Sequence, residues 1–248
     1  MSTVLSVNLN KFALVRNSRG HNFPNIVSIA ERVIKAGAGG ITIHPRPDQR
    51  HAKYSDISAL KEVTQRLPGT ELNIEGFPTE RFITEVINAR PHQCTLVPDA
   101  PDQLTSDHGW DLTLRKSEVI PVIQRLKAAG IRVSLFIDPV PNQITLAAET
   151  GTDRVELYTE SYARAFASEG SNTAPVEYVR AAEAAQLCKL GLNAGHDLSL
   201  KNLGFFLRHV PGIQEVSIGH ALVVESWDFT IEETIKKYCH VIKFAAVR

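Results

Sequence analysis

The sequence has little of what marks several common protein classes. Its three cysteines, Cys94, Cys188 and Cys239, stand far apart and form no CxxC pair. A disulfide framework and a zinc knuckle are therefore not expected, and free thiols in a reducing compartment are. Neither sign of charge is in excess, since lysine plus arginine and aspartate plus glutamate both count 27. Without a net field the chain does not concentrate nucleic acid or an anionic membrane, so neither partner is expected, and any phosphate must be held by local charge. No apolar run approaches membrane-spanning length. The stretch from Met1 to Phe12 is broken by Asn8, Asn10 and Lys11 where a signal peptide would be continuous. A soluble, cytoplasmic protein is the expectation. Low-complexity tracts, linkers and long repeats are also missing, so residues 1–248 are expected to form a single domain.

What is present is an alternation. Short runs rich in β-formers read as strands at Leu5–Asn10, Gly40–His44, Glu71–Glu75, Gln93–Val97, Arg132–Ile137, Arg154–Tyr158, Leu192–Ala194 and Glu215–Ile218. Between them, apolar residues recur at three-to-four spacing in Ile26–Ala36, Ile57–Leu67, Thr79–Ala89, Leu114–Ala129, Asn142–Thr150, Pro175–Leu190, Leu200–Arg208 and Ile231–Ile242. Ala36-Gly37, Ala129-Gly130 and Thr150-Gly151 mark helix ends at which a left-handed residue is expected. Eight strands with eight helices, at about the ~250 residues usual for the class, predict an α/β fold of the (β/α)8 TIM-barrel type. An open doubly wound sheet fits less well, because no GxGxxG follows the first strand. Two long connections, Pro98–Thr113 and Glu160–Ala174, follow strands and so lie on the catalytic face, where either could act as a lid.

Barrel enzymes hold their reacting groups at the C-terminal ends of the strands. Around that rim the sequence places Asn8 and Asn10, His44, Glu75, Asp138, Glu156 with Thr159, His196 and His220. A single histidine at a strand end is more often a hydrogen-bonded structural residue than a catalyst. Three histidines and a glutamate on one rim instead form a set of acids and bases usable near neutral pH.

Directly after the second strand, His44-Pro45-Arg46-Pro47-Asp48-Gln49-Arg50-His51 combines guanidinium groups suited to a phosphate or carboxylate with imidazoles able to move protons. Arg16 and Arg19 are expected to add charge to the same face. Gly195-His196 and Gly219-His220 repeat a Gly-His pair after strands seven and eight, the usual phosphate quarter of a barrel. His44 and His51 with Glu75 or Asp48 form a weak candidate metal set, since no HxH or HExxH lies on one element. Lys11 is the one lysine near the rim available for a Schiff base, the mark of a barrel aldolase.

In order along the chain, Val7-Asn8-Leu9-Asn10, Arg16-Asn17-Ser18-Arg19-Gly20, Gly40 to His44 through Arg50-His51, Leu72-Asn73-Ile74-Glu75, Leu96-Val97-Pro98, Val133 to Asp138, Asn193-Ala194-Gly195-His196 and Ile218-Gly219-His220-Ala221 resemble the pyridoxine 5′-phosphate synthase family. The resemblance spans nearly the whole chain. It implies a β/α barrel, usually assembled as an octamer, that joins 3-amino-2-oxopropyl phosphate to 1-deoxy-D-xylulose 5-phosphate and releases inorganic phosphate and water. It implies no metal and no organic cofactor. By the same resemblance His44 and Glu75 are general bases and His196 the general acid. Asn8 contacts the phosphate of the amino ketone, Arg46, His51 and Thr105 contact the deoxyxylulose phosphate, and Arg19, Gly219 and His220 also bind ligand.

Three departures from the commonest form of that pattern concern ligand binding. Asn10-Lys11 stands where an aspartate and a histidine are usual, and Lys11 is expected to replace the missing imidazole at a phosphate or hydroxyl. Asp197 follows His196 where glycine is usual, after a seventh strand that reads about two residues short. Val224-Glu225-Ser226-Trp227 replaces a small-residue turn and is expected to open the last helix. The same barrel and phosphate loops also fit an aldolase or isomerase acting on another ketose phosphate, and a non-catalytic barrel would be expected to lack one of His44, Glu75 and His196.

Overall fold

The computed structural model describes residues 3–99, 103, 105–170 and 175–245. Eight parallel strands close into a barrel in sequence order: β1 (Val4–Asn8), β2 (Gly40–Ile43), β3 (Glu71–Gly76), β4 (Gln93–Leu96), β5 (Arg132–Ile137), β6 (Arg154–Tyr158), β7 (Gly191–His196) and β8 (Ile213–Ile218). Parallel neighbours need crossover connections, and helices supply them. Among the described residues these are α1 (Asn10–Asn17), α2 (Ile26–Lys35), α3 (Tyr54–Arg66), α4 (Glu80–Ala89), α5 (Leu112–Ala128), α6 (Pro141–Glu149), α7 (Glu160–Glu169), α8 (Val176–Leu187), α9 (Leu203–His209), α10 (His220–Glu225) and α11 (Ile231–Ala245). The fold is a (β/α)8 TIM barrel. None of these helices is long and apolar enough to cross a membrane.

Local chemistry explains the helix boundaries. Asn25 and Thr79 cap α2 and α4 by accepting the backbone N–H of Ser28 and Phe82, which satisfies donors the first turn leaves orphaned. Gly37, Gly130 and Gly151 take the positive φ expected of them. Ile26, Ile29, Ala30 and Val33 form the buried stripe of α2, the three-to-four spacing of a helix lying on a sheet.

Three expectations needed revision. The first strand ends two residues early, because Asn8 Oδ1 accepts the N–H of Asn10 at 3.0 Å and the chain turns at once into α1. The segment expected as a loop at Glu160–Ala174 begins with α7, pinned by Tyr162 and Phe166 packing on Phe206 and Phe205 at ring distances of 5.0 and 5.6 Å. Residues 171–174, with 100–102 and 104 of the other long connection, lie outside the described residues. Val224-Glu225-Ser226-Trp227 closes α10 instead of opening the last helix, which starts at Ile231. The seventh strand runs for six residues, Gly191–His196. One additional residue of β8, Gln214, bulges opposite Leu192 and Asn193, and the register beyond it is kept.

The strands bury both faces, with different chemistry on each. In β2, β3 and β5 the residues facing the helices are Ile41, Ile43, Leu72, Ile74, Val133, Leu135 and Ile137, all buried. Their neighbours Thr42, Asn73 and Ser134 face the barrel interior and are buried too. Most β/α barrels fill that interior with branched aliphatic side chains; this one fills it with polar groups. Ser6 and Thr42 share a hydrogen bond at 2.7 Å, and Thr95 donates to Asn73 at 3.1 Å and towards Glu156 at 3.4 Å. Nearer the N-terminal face, Arg132 donates to Gln93 and pairs with Glu71, while Arg154 lies 3.6 Å from Glu215.

Burial pushes the Glu156 carboxyl up to about 8, with the charge of Glu215 adding to the effect. Burial likewise pushes Glu215 up to about 7, against the pull of Arg154. Unfolded, both would titrate near ~4.3. Between that value and the folded ones the native state binds more protons than the unfolded chain, so these groups lower stability as pH rises through about 7 and about 8. Glu156→Gln removes one of the two titrations with almost no change of shape. Its melting temperature should exceed that of the parent at pH ~8.5 by about 2–4 °C for each kcal/mol recovered, and should show no such gain at pH ~5. Thermal unfolding at the two pH values measures this, and an equal gain at both would contradict it.

Candidate active site

The C-terminal rim is organised from β1 outward. Asn8, at the end of β1, donates towards Glu75 Oε2 of β3 at 3.4 Å. The side chain of Asn10 accepts the backbone N–H of His44 at 2.9 Å, which fixes the residue that leaves β2. Asn10 was expected to touch ligand; here its carbonyl oxygen is used to hold His44. Asn8, Asn10, His44 and Glu75 thus form one connected group.

His44 and Glu75 are buried, and burial acts on them in opposite senses. It pulls the His44 imidazole well below its ordinary value, helped by the charges of Arg46, His51 and Arg50. His44 is therefore neutral at neutral pH, the form that can accept a proton. Burial pushes the Glu75 carboxyl well above the usual carboxylate range, and the neighbouring carboxyls of Glu156, Glu215 and Asp99 push it further. Both effects favour the protonated form of Glu75 in the ligand-free protein.

The segment from His44 to Lys53 is clamped from α1. Asn17 Nδ2 donates to the carbonyls of Arg50 and His51 at 3.0 and 2.7 Å. Arg16, expected among the anion-binding groups, is instead buried and bidentate on Asp56 at 2.7 and 3.0 Å, and also donates to the His51 carbonyl. It ties α1 to α3 and is not available to a ligand. The clamp places His51 with its ring 5.9 Å from that of His44. His51 Nδ1 accepts the N–H of Ala52 at 3.0 Å, so its proton sits on Nε2. Burial, with the charges of Arg46, Lys11 and Arg50, pulls His51 down to about 4.

Arg46 is buried and already partnered. It pairs with Asp99, donates to the Gln103 carbonyl at 2.6 Å, and shares that acceptor with Arg50 at 3.2 Å. Asp99 also accepts from Ser106 at 2.7 Å, while its other oxygen, Oδ1, is buried without a hydrogen bond. The connection after β4 is thereby joined to the arginine-bearing segment after β2. Nothing in the spacing of Asp99 signalled this, because an aspartate following a proline reads as an ordinary turn.

On the far side of the rim His196 ends β7. Its Nδ1 lies 2.5 Å from Asp197 Oδ2 and its Nε2 lies 3.1 Å from Thr105 Oγ1. The Tyr158 ring stands edge-on to it at 5.1 Å. Thr105 is thus brought to His196, and Asp197 turns one carboxylate oxygen to the same ring. Beneath them Gly195 has no room for a side chain, because a Cβ there would overlap Glu156 Oε1. Its carbonyl accepts the Thr159 hydroxyl at 2.7 Å.

The remaining predicted residues lie at the margin. Gly219 closes against β1, where a Cβ would meet that of Asn8 at 3.1 Å. His220 opens α10 and is exposed. Lys11 is exposed on α1, and its charge reaches His51. It stands on a helix and not at a strand end, so it is poorly placed for a Schiff-base lysine projecting into the barrel. Arg19 is exposed beyond the end of α1 and is not brought to His44 or Glu75. Among the described residues no group of three or more His, Cys, Asp or Glu is placed to hold a metal ion.

A closed β/α barrel that gathers imidazoles, a buried carboxyl and guanidinium groups at the C-terminal ends of its strands has the layout of a barrel enzyme. The particular family follows from the whole sequence: the family model described as pyridoxal phosphate biosynthesis protein PdxJ matches residues 5–244, and the chain belongs to that family. It is 49% identical over 241 residues to the pyridoxine 5′-phosphate synthase of Christiangramia forsetii, an alignment covering 97% of this chain and 100% of that one. With the enzyme of the same name from Cytophaga hutchinsonii the identity is 48%, covering 97% and 99%. A chain of M. tuberculosis tryptophan synthase superposes with a TM-score of 0.67 at 10% identity, covering 98% of this chain and 93% of that one. This last likeness is one of fold alone.

A histidine titration checks the electrostatics directly. In the 15N-labelled, ligand-free protein His51 should titrate near about 4 and His44 well below 6.5. Inorganic phosphate bound between Arg46 and Arg50 should move both midpoints upward, because it cancels the positive charges that oppose protonation. A His44 midpoint at or above its ordinary value in the ligand-free protein would contradict the assignment.

Proposed function

We propose that this chain is a pyridoxine 5′-phosphate synthase that condenses 3-amino-2-oxopropyl phosphate with 1-deoxy-D-xylulose 5-phosphate, releasing inorganic phosphate and water. The observation that carries the reading is the pairing, through Asn8 and Asn10, of a neutral His44 with a protonated Glu75. A condensation that forms a C–N bond and then closes an aromatic ring needs groups that both give and take protons on one bound intermediate.

The residues divide that work as follows. His44, uncharged beside Arg46, takes a proton from the attacking amine as its nitrogen bonds to the ketone carbon. Glu75 begins in the acid form, donates to an oxygen that departs as water, and is then the carboxylate that removes a proton from carbon. His196 protonates the second departing oxygen. Arg46, with His51 and Thr105, holds the deoxyxylulose phosphate, and Asn8 with the backbone at Gly219 and His220 holds the other. Phosphates at both ends supply binding energy remote from the reacting carbons. An octamer completes the proposal, and light scattering of the purified protein gives the mass that checks it.

Incubating the protein with both substrates, the amino ketone being generated in situ, should yield pyridoxine 5′-phosphate, detected by mass and absorbance. His44→Asn, Glu75→Gln and His196→Asn should each lower kcat by about 10²–10⁴-fold. Folded parent protein that forms no product would overturn the reading. Lys11, whose charge lies near His51, is proposed to contact the deoxyxylulose phosphate. Lys11→Ala should raise KM for that substrate by about tenfold with little change in kcat, and an unchanged KM would remove Lys11 from the site.

A further inference from the structure

We infer that Asp197 is a positioning residue that orients His196 and fixes which of its nitrogens carries the proton, an inference resting on the reading of His196 as the general acid. Successive residues of an extended strand point to opposite faces, so sequence neighbours at a strand end do not ordinarily meet through their side chains. His196 departs from that rule, with φ at +93°, a conformation uncommon for a residue with a side chain. The turn brings Asp197 Oδ2 to 2.5 Å from His196 Nδ1.

The unusual backbone is held from both sides. Before it, the Gly195 carbonyl accepts from Thr159. After it, the Asp197 carbonyl accepts from Asn202 at 3.2 Å. The ring is fenced by Tyr158 at an interplanar angle of 82° and met at Nε2 by Thr105. Strained residues of this kind persist where surrounding structure over-determines them, and they concentrate at working sites.

The chemistry follows from which nitrogen is occupied. With Asp197 on Nδ1, the proton of the neutral ring stays there and Nε2 is left to Thr105 or to substrate. In the doubly protonated ring the same contact retains Nδ1–H, so Nε2–H is the proton that leaves. In the acid step the Nε2–H bond breaks and an O–H bond forms on the departing oxygen, which leaves as water. The ring becomes neutral, keeps Nδ1–H on Asp197, and is reprotonated from solvent. The other charges in this neighbourhood are the carboxylates of Asp107, Asp138 and Glu160, which with Asp197 act on the Tyr158 hydroxyl.

Two measurements on Asp197→Gly and Asp197→Asn test the assignment. By 15N-histidine NMR of the ligand-free proteins, parent His196 should be the Nδ1–H tautomer when neutral. In Asp197→Gly that preference should be lost. In steady-state kinetics kcat should drop about tenfold to a hundredfold, with KM for both phosphates within about threefold and with partial recovery in Asp197→Glu. If Asp197→Gly does not fold, the tautomer in Asp197→Ala decides. An unchanged tautomer would overturn the proposal, as would a raised KM with kcat intact, which would make Asp197 a ligand contact. A parent protein that forms no pyridoxine 5′-phosphate but keeps the NMR signature would sink the functional reading and leave the His196–Asp197 pair standing.

Discussion

Every second residue of a barrel strand faces a closed interior, and in this barrel most of those residues are polar, Phe136 being an exception. A buried polar group without a partner costs about 1–3 kcal/mol, so the interior is built largely as a connected column of donors and acceptors, with the Ser134 hydroxyl left without a partner. The Ser6–Thr42 and Thr95–Asn73 bonds and the Arg132 and Arg154 contacts beneath them are parts of that column. The chemistry of the rim depends on it. The Glu75 carboxyl is biased toward its protonated form by burial and by the charges of Glu156 and Glu215, and Glu156 has space only because residue 195 lacks a side chain. The packing that stabilises the barrel and the charge state of its reactive carboxyl therefore have one origin.

The second dependence runs sideways, from α1 into the segment after β2. A loop carrying Arg46, Arg50, His44 and His51 would splay under its own positive charge. Arg16 and Asn17 instead anchor its backbone carbonyls, while Asp48, Asp99 and the Gln103 carbonyl absorb the guanidinium donors. The imidazoles stay neutral as a result of burial among these fixed cations. Preorganised charge of this kind acts on a bound anion without further rearrangement of the loop backbone.

Much of this was legible in the sequence because strand and helix periods differ and because barrel rims collect polar residues. All eight strands, and the placement of His44, Glu75 and His196 at strand ends, follow from those two rules. What was not legible depends on tertiary partners. The helix α7 has Tyr162 as its one buried side chain, too weak a stripe to stand out from its serines and alanines. Arg16 reads as an anion binder until Asp56, forty residues later, is seen to face it. Asp197 and Asn10 read as changes in ligand recognition, whereas their oxygens are spent within the protein on His196 and on the backbone of His44. Side-chain direction at a strand end is set by a local φ that no residue pattern encodes, and His196 is the case in point.

The Arg46–Asp99 pair has a consequence for how an anion enters. Because the guanidinium is buried and already neutralised by a carboxylate, a phosphate that takes this position performs an ion exchange and not a simple addition. The displaced Asp99 must find water or a proton, and burial already biases it toward the proton. Anion binding at this end of the barrel is thereby linked to proton uptake, so that pH, and not charge attraction alone, sets how tightly an anion is held.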